Sequence, residues 1–213
     1  MIVEEFLIKE IELKYLVGIN QIKLKSTNLE LEKFFNIIKE VQANFKDSFI
    51  QFFNDKYVLN TQHIYYACLF TQKAFFYKTN ISNKKELELL LYLAGKRQIK
   101  QAIKDFGIDN EQIKKGIINL CIISSDQNIN RIGNYVNSEL KGVESNFTIN
   151  EMKIEKYQNI RRYFGFSDNQ IKSIIYSYNI KKSIEIPNQN NLPDLYLALN
   201  DLICEQMALI SLE

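Results

Sequence analysis

The sequence predicts an α+β fold in a single domain spanning residues 1–213. Two observations carry that prediction. The apolar period switches between two and about 3.6 residues along the chain, and the strand-like runs are interspersed with helical ones without regular βαβ units or an internal repeat. A hydrophobic content of 46% and a charged content of 24% suit a globular chain that buries a core. The formal net charge is only +2, so an anionic partner must be met by a local patch rather than a global field.

The elements follow in order. "FLIKEIELKYLVGINQIKLK" alternates apolar and charged residues and predicts paired strands turning around Gly18 to Gln21. "TNLELEKFFNIIKEVQ" opens with a capping box from Thr27 to Glu30 and predicts a helix burying Leu31, Phe34, Phe35 and Ile38. "FIQFFNDKYVLN" reads as two short strands, or one strand bent at Asn54 and Asp55. A helix from Thr61 to about Phe76 is expected to turn Ile64, Ala67, Cys68, Thr71 and Phe75 inward. After "KTNISN" come a helix from about Lys84 to Leu93 and another from about Arg97 to Phe106. The second has Ile99, Ala102, Ile103 and Phe106 as its inward stripe, and Gly107 as a left-handed cap. "GIINLCIISS" predicts a buried strand, followed by a short helix near Asn128 to Val136 and a strand near Val143 to Thr148. "IEKYQNIRRYFGF" and "SDNQIKSIIYSY" are helical, the latter with a capping box from Ser167 to Gln170. "IPNQNNLP" is a loop, and Pro193 starts the last helix, to about Met207.

Little in the chain assembles into a catalytic set. Cys68, Cys121 and Cys204 are far apart in apolar contexts and read as buried thiols in a reducing cytosol. The start has acids where a secretory signal would carry cations, and no apolar run approaches the ~20 residues of a membrane span, so a cytoplasmic protein is expected. Scattered single glycines form no phosphate-cradling loop, and carboxylates alternate with lysines as on solvated helix faces. The lone histidine, His63, excludes a histidine metal cluster, and no metal or cofactor is expected. As a residue at a helix start it reads as a capping or surface histidine; its alternative role is general base in a small-molecule pocket.

One segment stands apart. After Gly95, the cations Lys96, Arg97, Lys100 and Lys104 crowd three turns, the lysines at i, i+4, i+8. They suit either a solvated helix face near its C-terminus or a ridge that meets phosphates and releases counterions. A helix-pair DNA-binding reading is weaker, because only Gln98 and Gln101 could read base edges and no dimer is announced.

The stretch from "FFNDKYVLNTQHIYYACLFTQKAFF" through "NISNKKELELLLYLAGKRQIKQAIKDFGI" resembles the small accessory subunit of the KEOPS (EKC) complex, the family that includes the human PRPK-binding protein. The resemblance rests on Asn54, Val58, His63, Ala67, Asn80 with Ile81, Glu88 with Leu90 and Leu91, and Ala94 with Gly95. Arg97, Gln98, Ile99, Ala102, Ile103 and Gly107 continue it, and Glu205, Ala208 and Leu209 near the end match the family's last helix. It implies a small antiparallel sheet packed with a cluster of helices, the C-terminal helix packing back. It also implies a non-catalytic subunit that binds and regulates a kinase-like ATPase and docks the 3′ CCA end of tRNA during threonylcarbamoyl-adenosine formation. On that basis tRNA is expected at His63, Lys96, Arg97 and Lys100, with His63 beside Tyr65 as a stacking plane. The kinase subunit is expected at Ile99, Ile103, Leu202 and Met207. The chain departs from the pattern at Gln62, where relatives often carry a cation, and it is longer than usual members, with the extra length expected around 150–192.

Overall fold

The structure, a computed structural model, describes residues 1–125, 127–178 and 187–210. Five antiparallel strands form the sheet: β1 (Ile2–Ile8), β2 (Leu13–Leu24), β3 (Ser48–Phe53), β4 (Ile117–Ser124) and β5 (Gly142–Glu144). Their order is β1-β2-β4-β3, with β5 beside the far end of β2. Nine α-helices among the described residues cover it: α1 (Leu31–Asn44), α2 (Thr61–Tyr77), α3 (Lys85–Ala94), α4 (Ile99–Phe106), α5 (Asn110–Lys115), α6 (Ile129–Glu139), α7 (Ile154–Phe164), α8 (Asp168–Ser177) and α9 (Leu192–Ile210). The fold is α+β, as the interspersed periods predict.

Strand alternation divides the core in two. Val17, Ile19, Cys121 and Ile123 point to one face, where they meet Ile64, Ala67 and Cys68 of α2, Leu90 and Leu91 of α3, and Leu195, Leu199 and Ile203 of α9. Ile22, Ile50, Phe52, Leu120 and Ile122 point to the other, against Phe34, Ile37 and Val41 of α1 and Ile132 and Val136 of α6. No helix among the described residues is long and apolar enough to cross a membrane.

Several local expectations shift, each for a physical reason. The hairpin turns at residues 9–12, where a single 3-10 turn ends on Glu12 in the left-handed region (φ 51°). Gly18 lies inside unbroken β2, and its lack of a side chain leaves room for Ile129, which a Cβ there would approach to 2.9 Å. The Thr27 capping box does not form: Ser26 Oγ accepts from Asn28 N–H, and α1 starts after Glu30 without a side-chain cap. Its buried stripe is Phe34, Ile37, Ile38 and Val41, leaving Phe35 exposed. β5 ends at Glu144, short of the expected Thr148. Gly107 is extended (φ −70°), and its reason is space, since a Cβ would lie 2.4 Å from the Ile103 carbonyl oxygen. At this point the chain bridges to Phe53 of β3. Helix α5, which periodicity missed, is capped by Asp109 accepting from Gln112 N–H at 2.9 Å. The Ser167–Gln170 capping box forms, and Pro193 sits in the first turn of α9. Residues 179–186 of the expected elaboration lie outside the described residues.

Candidate interaction surface at the α3–α4 junction

Helix α3 is apolar on almost every side and buries Leu89, Leu90, Leu91, Tyr92 and Leu93, so it runs through the core. It ends at Gly95 in the left-handed conformation (φ 62°), where Gly95 N–H bonds to Tyr92 O and Lys96 N–H to Leu91 O. Gln206 of α9 donates to Gly95 O at 3.1 Å, and Arg97 Nη1 donates to the Ile210 carbonyl at the other end of α9's last turn. The junction is therefore a clamp on the C-terminal helix, which packs back as expected.

This geometry breaks the expected line of lysines. Lys96 precedes α4, and only Lys100 and Lys104 share its surface. Lys96 is drawn inward, its Nζ 3.6 Å from Asp105 Oδ2 and 4.1 Å above the Tyr163 ring. Arg97, though exposed as a residue, spends a donor on the clamp. Lys100 and Lys104 are exposed and form no ion pair among the described residues.

The inward stripe of α4 is narrower than the spacing suggests. Ala102 and Phe106 are buried and Ile99 is half-buried against the first core, but Ile103 is 45% exposed. Ile103 thus sits between Lys100 and Lys104 on an amphipathic face open to solvent. Leu202 and Met207, expected at the same surface, belong to the core at 4% and 0% exposure. They hold α9 in place and offer no contact surface.

His63 needs the largest correction. It is fully buried, its backbone N–H bonded to Asn60 Oδ1 at the start of α2. Its ring bridges α2 to α3. Leu93 O can only accept, which places the ring proton on Nε2 (3.1 Å), and Nδ1 accepts from Leu59 N–H (3.2 Å). Phe106 and Phe164 stand edge-on to it. Burial, with Lys156 adding a repulsive charge, pushes its pKa down to about 3. With both nitrogens bonded and no open face, it neither stacks on a base nor serves as a general base.

A second buried polar group escaped the candidate residues. Glu88 of α3 is wholly buried and accepts from Ile81 N–H (3.1 Å) and Ser82 N–H (2.7 Å), fixing the loop before its own helix. Burial raises its carboxyl pKa, and the two amides and Arg97 oppose that shift. The signal was present in the Asn80-Ile81 step followed seven residues later by a glutamate. Beside α4, Lys104 also lines a cavity of about 830 Å³ whose lining includes Gln21 and Asn119, which bond to each other at 3.0 Å. Its other charges are mixed: Lys56 and Lys115 with Asp55, Asp105, Asp109 and Glu111. No cluster of metal-ligating side chains occurs among the described residues.

What the arrangement offers is a rigid helix end with an exposed apolar side chain between two unpaired cations. No curated protein matches the chain. A family model described as kinase binding protein CGI-121 matches residues 20–211, spanning the sheet from within β2 onward and all nine helices. The chain therefore belongs to the kinase binding protein CGI-121 family, the family of the PRPK-binding KEOPS subunit that it resembles.

Proposed function

We propose that this protein is a non-catalytic, cytoplasmic accessory subunit of a KEOPS-type complex. In this reading it binds and regulates the kinase-like ATPase through the outer face of α4 and supports threonylcarbamoyl-adenosine formation in tRNA. The observation that carries the kinase contact is Ile103, an apolar side chain 45% exposed on a helix whose other face is locked to the core. Ile99 flanks it, and the chain's added length is placed around residues 150–192, a stretch that includes α7 and α8. Ile103→Glu is expected to weaken capture of the purified kinase-like subunit by at least about tenfold while leaving thermal unfolding unchanged, because exposed apolar anchors act in binding more than in folding. Undiminished capture would remove α4 from the kinase contact.

The tRNA side rests on the family resemblance and on the cations that remain open. Among the described residues Lys100 forms no ion pair, with Lys104 one turn on, while Lys96 and Arg97 flank them and tie the junction together. Because both lysines adjoin Ile103, this reading has the kinase-like subunit and tRNA meet adjoining parts of one α4 face. The Lys100→Glu, Lys104→Glu double variant is expected to lower tRNA affinity in fluorescence anisotropy and to reduce the salt slope by about one to two. Docking of the 3′ end further requires that tRNA lacking CCA bind more weakly to the parent protein. Equal, tight binding by parent and variant would remove Lys100 and Lys104 from the tRNA contact, and no binding by the parent would sink the RNA reading; either would leave the kinase contact standing.

A further inference from the structure

Strand β1 ends the sheet. Its inner side pairs with β2 from Ile2↔Ile19 to Ile8↔Leu13, and among the described residues nothing pairs with its outer side. One face of the strand, through Phe6, packs toward α2, with Phe6 5.0 Å from the Tyr65 ring. The opposite face presents Val3, Glu5 and Leu7. Val3 is 39% and Leu7 57% exposed, and neither packs against either core. Folded proteins normally shorten, cover or bulge such an edge, because its free N–H and C=O groups are a template for another strand.

We propose that β1 pairs antiparallel with β1 of a second copy of this chain, about a twofold axis through Glu5, so that two sheets become one. A twofold axis normal to the sheet keeps each face continuous, and side chains directly opposite share a face, so the axis must pass through a residue position. Centred on Glu5, the register sets Val3 opposite the partner's Leu7 and Leu7 opposite the partner's Val3, covering both exposed apolar side chains. Centred on Glu4, it would set carboxylate against carboxylate and Val3 against Glu5. Centred on Phe6, it would set Leu7 against Glu5 and Glu4 against Ile8.

Charge distinguishes the registers further. Glu5 is held by Lys14 of its own chain at 2.8 Å, so the Glu5 axis gathers two carboxylates and two ammonium groups with no net charge. Glu4 has no ion pair among the described residues, and a Glu4 axis would be bare repulsion. The edge lies across the sheet from β3, which bridges to Gly107 at the end of α4, so pairing leaves the α4 face open in both copies. The inference therefore stands or falls independently of the kinase and tRNA reading.

The test is the mass of the full chain by light scattering across a wide range of concentration, together with cysteine cross-linking. Two copies per particle are expected at the upper end, falling to one in Leu7→Lys, a change at an exposed site that the fold tolerates. In a Cys204→Ser background, Glu5→Cys is expected to form a covalent dimer under mild oxidation. A residue on the axis meets its own counterpart within the roughly 4.4–6.8 Å Cα separation of a disulfide. Glu4→Cys is expected to stay uncrosslinked, because its counterpart lies diagonally about 7–8 Å away. A single-copy mass at every concentration would overturn the proposal, as would cross-linking of Glu4→Cys as readily as Glu5→Cys.

Discussion

Acidification from pH 7 to pH 4.5 is expected to remove about 2–3 kcal/mol of stability through His63 alone. Its folded pKa of about 3 lies below the ordinary value of 6.5, so the unfolded chain takes up the proton first as pH falls. The stabilisation is thus fully present above pH 6.5 and is lost progressively toward pH 3. The cause is geometric: the buried ring has one nitrogen donating to Leu93 O and the other accepting from Leu59 N–H, so the imidazolium's second proton has no acceptor. Because the chain has no other histidine, the effect can be isolated. Urea unfolding should show the loss in the parent and a flatter pH dependence in His63→Gln, and the single imidazole resonance should not titrate above pH 5 by NMR. Parallel pH profiles for the two proteins would refute the assignment.

Replacing Glu88 by alanine is expected to lower stability by about 3 kcal/mol, equivalent to about 6–12 °C in Tm for a chain of this size. The carboxylate accepts two charge-assisted hydrogen bonds, and its removal leaves the Ile81 and Ser82 amides facing an apolar void. Glu88→Gln should fall between the two, since one acceptor oxygen survives. Thermal denaturation at neutral pH measures all three proteins, and an alanine variant as stable as the parent would show that water satisfies those amides.

Much of the fold was legible because its signals are local. The periods of α2, α3, α7 and α8, the apolar run of β4 and the Ser167 cap each depend on residues within one or two turns. Gly107 shows where residue spacing stops short of geometry even locally: a glycine answers either to positive φ or to lack of room, and only the backbone path, which brings the Ile103 carbonyl against it, tells which. The candidate site was legible as a segment but not as a surface. Lys96 and Arg97 were visible as charges, but their partners Asp105, Tyr163 and Ile210 come from α4, α7 and the end of α9. Burial of His63, Leu202 and Met207 is likewise decided by what other elements bring against them. Ile103, which the spacing turned inward, is exposed because the face of α4 that meets the core is the one carrying Ile99, Ala102 and Phe106.

The position of β4 between β2 and β3 bears on how the chain reaches this structure. Gln21 and Asn119, cross-strand neighbours, are separated by 98 positions, and closing a loop of that length costs about 4 kcal/mol of chain entropy before any ladder repays it. Until that closure, β2 and β3 have no shared neighbour, and both helical layers lack the floor on which their apolar faces rest. A chain that is mostly helical thereby carries one slow step set by distant strand pairing, which puts it between the fast helical bundles and the slow all-β folds.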